Sequence, residues 1–154
     1  MTTMQDPMQG VFRGFDIASS GLRAGLQRAE IVAANLGNMH RTGNAEHEPW
    51  RRKTVVFEEL LEEARSGELD GDAVAKLASG VQVAQVVEDQ TPFPVFYQPG
   101  HPDADATGKV LGSNVDLFQE LVDMSVIERG FDANLTALRT YRGMLQNTIT
   151  NLSR

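Results

Sequence analysis

The stretch from Leu117 to Leu152, LFQELVDMSVIERGFDANLTALRTYRGMLQNTITNL, carries the pattern that decides the fold. Within it Leu117, Leu121, Met124, Glu128, Phe131, Leu135, Leu138, Arg142, Leu145, Ile149 and Leu152 follow an unbroken four-three repeat, and nine of these eleven are apolar. A repeat sustained this long exceeds the three or four heptads that mark a coiled-coil seam. Ser113 followed by Asp116 resembles a capping box and places the helix start near Asn114. The predicted helix then has about 39 residues and a length of about 58 Å.

A second helical stripe lies upstream. From about Gly14 to Asn38, residues Phe15, Ala18, Leu22, Gly25, Ala29, Val32 and Leu36 fall three and four apart. Gly37 and Gly43, with polar residues between them, supply stop signals, so this helix is expected to have about 24 residues and to span about 36 Å. Gly21, Gly25, Ala29 and Ala33 form one ridge at i+4 spacing. An interior glycine costs roughly 0.8 to 1 kcal/mol relative to alanine, so such a ridge points to close approach of another helix. Arg23 and Arg28 interrupt the segment and exclude a membrane span, although Gly21 and Gly25 make a GxxxG.

The middle of the chain has a different composition. Trp50 to Phe57 and Gly80 to Val87, with Val81, Val83 and Val86, read as short strands. Thr91 to Pro102 carries four prolines and is expected to be extended or turning. Glu58 to Lys76 is open to two readings: its charge and alanines permit a short helix, while Gly67 and Gly71 suit a solvated loop. The expected fold is mainly α with a small β-rich insert. It divides into a tail (1–13), an N-terminal core helix (14–38), a loop and β-rich module (39–112) and a C-terminal core helix (113–154), with the two long helices forming a coiled-coil-like core.

Bulk composition narrows the function. A chain of 154 residues with 41% hydrophobic but only 6% aromatic content suits one compact domain with extensions. The net charge of -7 is concentrated, because Glu58, Glu59, Glu62, Glu63, Glu68, Asp70 and Asp72 face Arg65 alone, which argues against nucleic acid as a partner. Cysteine is absent, which removes disulfides, thiolate metal sites and a cysteine nucleophile, and leaves the redox compartment open. The opening MTTMQDPMQG lacks the basic and apolar regions of a secretory signal, and no run of about 18 apolar residues follows. The expectation is a soluble chain without direct membrane insertion, exported, if at all, by another route.

No catalytic, cofactor or metal site is expected. Asp103-Ala104-Asp105-Ala106-Thr107-Gly108 matches the opening of a calcium loop, but Asn114 stands where a bidentate Glu is required, so an Asx-type turn is the stronger reading. His40, His47 and His101 lie in polar, loop-like surroundings without a second ligand at helical spacing. There is no GxSxG, and Gly100 to Lys109 fails as a phosphate loop because its spacing is too long and Val110 replaces Ser or Thr. The carboxylates of Glu58 to Asp72 read as a solvated face.

The helices ask for partners. The N-terminal one is shorter by about 15 residues, which leaves about 22 Å of apolar seam for other chains to cover. Glu128 and Arg142 interrupt that seam fourteen residues apart, or about 21 Å along one helix, and cannot neutralise each other within it. Either they pair across subunits and fix register, or the seam rotates and leaves both wet.

Three motifs in order resemble the bacterial flagellar basal-body rod proteins, over nearly the whole chain and most closely the proximal-rod branch. Ala34-Asn35-Leu36-Gly37-Asn38 is similar to the family's Asn-Leu-Ala-Asn signature and is followed by Trp50-Arg51-Arg52-Lys53-Thr54-Val55-Val56-Phe57. Tyr97-Gln98-Pro99-Gly100-His101-Pro102-Asp103-Ala104-Asp105 leads through Gly108-Lys109-Val110 to Asn114-Val115-Asp116. Glu128-Arg129-Gly130-Phe131-Asp132-Ala133-Asn134 is similar to the Arg-x-Tyr-x-Ala-Asn element, with Phe131 in place of Tyr.

The resemblance implies a non-enzymatic subunit whose terminal helices pack into concentric tubes around a channel, forming a drive shaft across the periplasm. It implies export through the flagellar type III apparatus without a cleaved signal peptide. The implied partners are copies of itself, other rod proteins (proximal FlgB, FlgF and FliE, distal FlgG) and the MS ring. Asn35, Asn38, Arg129 and Asn134 join the two helical stripes as expected subunit-interface residues. The alternative from the residues alone is a soluble coiled-coil adaptor that forms a closed oligomer.

Overall fold

Pro7 opens the first helix of the computed structural model, which describes residues 7–44, 46–63 and 76–152. Helix α1 runs Pro7–Asn38 over 32 residues, so it begins seven residues before the expected Gly14. The end agrees with the stop signals: Asn38 Nδ2 donates to the Ala34 carbonyl at 2.7 Å, and the Arg41 amide takes the Asn38 carbonyl at 3.0 Å, one of the acceptors a helix terminus leaves over.

Helix α2 runs Leu117–Leu152 over 36 residues, three residues later in its start than the sequence suggests. The cap is Asp116, not Ser113. Asp116 Oδ1 accepts the amides of Phe118 at 2.8 Å and Gln119 at 3.1 Å, and its charge complements the positive helix end. Ser113 Oγ accepts only the Val115 amide, at 3.3 Å, outside the helix.

Among the described residues, five strands lie between the helices: β1 Thr42–Gly43, β2 Lys53–Glu63, β3 Lys76–Glu88, β4 Val95–Tyr97 and β5 Lys109–Gly112. Strands β1, β5 and β4 form one antiparallel sheet in that order, with Thr42 opposite Gly112 and Val95, Phe96 and Tyr97 opposite Leu111, Val110 and Lys109. Val110 is its buried centre. Strands β2 and β3 pair as a separate two-stranded sheet. The Asp89 amide donates to the Arg52 carbonyl, Thr54 Oγ1 to the Val87 carbonyl and Gln82 to Glu58, so rising numbers in β2 meet falling numbers in β3 and the pair is antiparallel.

Glu58–Glu63 is therefore strand, neither the short helix nor the loop that the acidic composition suggests. Cross-strand pairing overrides the poor strand preference of glutamate. The rest of the acidic stretch, 64–75, lies outside the described residues, as do tail residues 1–6.

The chain divides into two compact units. In the first, formed from the described parts of 1–25, 57–83 and 129–154, Gly14 lies against the Tyr141 ring and Gly21 against Asn134. Seven residues forward in α1 match seven residues back in α2, so the helices are antiparallel there. Ser20 Oγ donates to the Ile17 carbonyl and accepts the Val81 amide, and Gly80, at φ 146°, leaves the room Ser20 occupies. In the second unit, formed from 26–56 and 84–128, Val32, Pro49, Val110 and Ile127 are buried.

Burial along α2 follows a four-three row, but not the one the apolar residues trace. In the second unit its inward positions are Glu120, Met124 and Ile127; in the first they are Phe131, Asn134, Leu138, Tyr141 and Leu145. Met124, Phe131, Leu138 and Leu145 belong to both rows. Leu117, Leu121, Glu128, Arg142 and Ile149 of the sequence row are exposed, and Leu135 is half-buried. No helix among the described residues is long and apolar enough to cross a membrane.

Candidate functional site

Asn35 sits at the centre of a polar cluster, fully buried near the end of α1. Its Oδ1 accepts Trp50 Nε1 at 3.2 Å and the Lys53 amide at 3.0 Å, while its Nδ2 donates to the Lys53 carbonyl at 2.8 Å and to Glu120 Oε2 at 3.2 Å. All four hydrogen-bonding positions of the amide are thus filled. The side chain fastens the segment entering β2 to both helices.

Arg52 makes the second knot. Its Nε donates to Glu120 Oε1 at 2.5 Å and its Nη2 to Asp123 Oδ2 at 2.9 Å, and Asp89 stands 3.7 Å from Nη1. Arg28 of α1 holds the other Asp123 oxygen at 2.8 Å. The Arg52 amide donates to Asn114 Oδ1 at 2.7 Å, and Asn114 Nδ2 reaches the carbonyls of Asp89 and Thr91. Among the described residues no buried side-chain nitrogen or oxygen lacks a partner. Buried ionic groups remain charged at little cost only when satisfied in this way.

The loop motif 103–108 is equally committed to internal bonds. Asp105 Oδ1 accepts the amides of Lys109 and Thr107 and the Thr107 hydroxyl, the Asx-type turn expected from sequence. These bonds, the Lys109 amide foremost, hold its carboxyl below the usual carboxylate range. Asp103 accepts Thr42 Oγ1 and lies 3.1 Å from His47 Nε2, and the Thr42 bond leads in lowering its carboxyl likewise. Asp89 is lowered first by the Thr91 hydroxyl and amide, then by the Arg52 charge. No set of three such side chains able to hold a metal ion occurs among the described residues.

The residues singled out from sequence separate into groups. Asn35, Ala18 and Val32 are buried inside the chain. Gly21, Leu22, Gly25, Ala29, Leu36, Asn38, Met124, Phe131, Asn134, Leu135, Leu138 and Leu145 are half-buried. Phe15, Leu117, Leu121, Glu128, Arg129, Arg142 and Ile149 are exposed, and the side chain of Leu152 lies outside the described set. Beside them stand apolar side chains that the sequence row does not contain: Phe118 is 78% exposed, Val122 63% and Val126 50%. With Leu117 and Leu121 they make an uncovered apolar face on the first turns of α2, the largest exposed feature of that helix within the second unit.

Residues 106–152 match the family described as the flagellar basal body rod FlgEFG protein C-terminal. The flagellar basal-body rod protein FlgC of Salmonella typhimurium is 38% identical over 136 residues, covering 88% of this chain and 93% of the relative. The chain belongs to the FlgC family of flagellar basal-body rod proteins. FlgC of Bacillus subtilis is 34% identical over 145 residues, covering 90% and 95% of the two chains, and FlgC of Borreliella burgdorferi is 28% identical over 149 residues, covering 93% and 98%. As a member of the FlgC family it is a structural subunit of the flagellar basal-body rod and not an enzyme.

That assignment gives the polar knot its place. In this FlgC-family chain, Trp50, Arg52, Asn114, Glu120 and Asp123 carry the internal fastening, yet none of them stands on a predicted seam. Their signal in the sequence was slight: Glu120 and Asp123 are charges set among apolar residues one position off the leucine row.

Proposed function

We propose that this chain polymerises in the proximal rod through its terminal helices. The uncovered faces of α1 and α2 pack in coiled-coil fashion against neighbouring rod subunits. The observation that carries this reading is the exposed apolar face Leu117, Phe118, Leu121, Val122 and Val126, which follows directly on a cap and a polar knot that fix its position. An apolar patch of this kind marks an interaction surface. On α1 the complementary exposed residues are Phe15 and Leu26, beside Gly25, where a Cβ would meet nothing within 4 Å.

The contacts are heterologous, since a shaft grows by repetition without closing. Its neighbours are copies of itself and other rod proteins, with FlgB, FlgF, FliE, FlgG and the MS ring as the specific candidates. The chain reaches the periplasm through the flagellar type III export apparatus without a cleaved signal peptide, its apolar faces becoming dry only on docking.

Leu121→Asp tests the reading directly. Leu121 is 51% exposed, so the variant is expected to keep the helix content and melting of the parent chain while failing to enter rods. Basal bodies isolated from a strain lacking the native chain and complemented with the variant provide the measurement, and normal rods containing it would overturn the assignment of this face. Leu138→Asp is expected to abolish incorporation too, with a loss of stability as well, because Leu138 lies on the row shared by both seams.

A further inference from the structure

Within the second unit, beside the C-terminal end of α1, a cleft of about 520 Å³ is lined by apolar side chains that include Pro94, Phe96 and Leu117 and by the polar side chains of Arg41, Gln98 and His101. None of its lining residues is acidic, in a chain with a net charge of -7. The Arg41 guanidinium lies 3.5 Å from the amide oxygen of Asn38 and pairs with no carboxylate among the described residues. The cleft therefore offers a cation and an apolar wall together, a combination suited to a segment carrying an aromatic ring next to a carboxylate.

Strand β2 presents such a segment. Successive side chains of a strand alternate between faces, which puts Phe57 and Glu59 on one face and Glu58 on the other. Glu58 is taken up by Gln82 of β3, whereas Phe57 is 39% exposed and Glu59 is exposed beside it.

We propose that the cleft of one copy receives Phe57 and Glu59 of a second copy, the phenyl ring against Phe96 and Pro94 and the carboxylate on Arg41. This rests on the polymerisation reading above and deepens it by naming a contact between copies that meets the α2 face only at Leu117. The contact is heterologous and passes from copy to copy. It weakens with salt, as an exposed ion pair does.

The chain has no cysteine, so engineered thiols report contacts without background. Chains carrying Glu59→Cys or Gln98→Cys are expressed together in a flagellated strain lacking the native chain, and isolated basal bodies are mildly oxidised. The expected product is a disulfide joining one chain of each kind, in excess over either same-variant pair. In the pairing of Gln98→Cys with Phe57→Cys, which keeps Glu59, adding Arg41→Glu to the Gln98→Cys chain is expected to lower the yield about tenfold. Phe57→Cys serves in place of Glu59→Cys should the latter not enter rods, and Val56→Cys, on the opposite face, is expected to give no link.

Rods that contain both variants without the mixed link would overturn the proposal while leaving polymerisation standing. So would a link to the Phe57→Cys chain, which keeps Glu59, that is indifferent to Arg41→Glu, or a dominant link between two Gln98→Cys chains, which would mean a two-fold contact. Absence of the native chain itself from isolated rods would overturn both readings.

Discussion

At the residue scale the chain is held by a few polar side chains whose every bond is made. Arg52→Ala would leave Glu120, fully buried, without its cation, and breaking a buried pair from one side costs about 3 to 5 kcal/mol. Asn35→Ala removes four hydrogen bonds and strands the Lys53 amide and carbonyl, with an expected loss of about 1 to 3 kcal/mol. Urea unfolding followed by circular dichroism measures both, and a midpoint unchanged in either would mean that water replaces the lost partner. The carboxyls of Asp89, Asp103 and Asp105 are held below their usual 3.8 by neighbouring hydroxyls and amides. The folded chain therefore binds fewer protons than the unfolded one around and below that pH. Their contribution is complete above pH 3.8 and lost as the pH falls through their folded values. Unfolding midpoints should fall as the pH is lowered below about 4, and Asp103→Asn should flatten that slope.

At the element scale the glycines of α1 divide by what faces them. A Cβ at Gly14 would overlap the Tyr141 ring, and one at Gly21 would stand 2.8 Å from Asn134 Nδ2, so alanine at either is expected to cost about 1 to 3 kcal/mol through overpacking. Gly25 has open space, and Gly25→Ala is expected to stabilise the separate chain by about 0.8 to 1 kcal/mol. Thermal melting of the three variants distinguishes the positions, and equal losses at all three would mean that α1 is covered along its whole length. The same helices show what the sequence made legible. Both long helices, the end of α1 at Asn38 and the Asx turn at Asp105 followed from local pattern. The packed row of α2 did not, because two adjacent four-three rows share Met124, Phe131, Leu138 and Leu145, and apolarity alone selects the leucine row. The row packed in the chain carries Glu120, Asn134 and Tyr141, which are tolerated there because α1 brings Asn35 opposite Glu120 and glycines opposite the other two. Such matches join residues far apart in sequence and leave no periodic trace. For the same reason Asn35 reads as an interface residue from its motif, while its partners at 50–53 complete it inside the chain.

At the scale of the whole molecule the exposed members of the leucine row are, on the proposed reading, the surface through which copies would meet, and the row's two polar interruptions acquire a testable role. Glu128 and Arg142 are both exposed, and neither takes part in an ion pair among the described residues. A single exposed pair contributes only about 0.2 to 1 kcal/mol. Were the two to pair across subunits of a rod, the contact would recur at every subunit, and its effect on register would be multiplied across the polymer while the separate chain lost nothing. Glu128→Arg and Arg142→Glu are each expected to leave melting unchanged and to lower incorporation into rods, and the double reversal to restore it, because opposite charges again face each other across the seam. Quantifying the chain in basal bodies isolated from strains carrying each variant checks this. Full incorporation of both single reversals would mean that the two side chains sit wet at the rim and that register is set by shape alone, with the bulky face of Phe118, Leu121 and Val122 as its determinant.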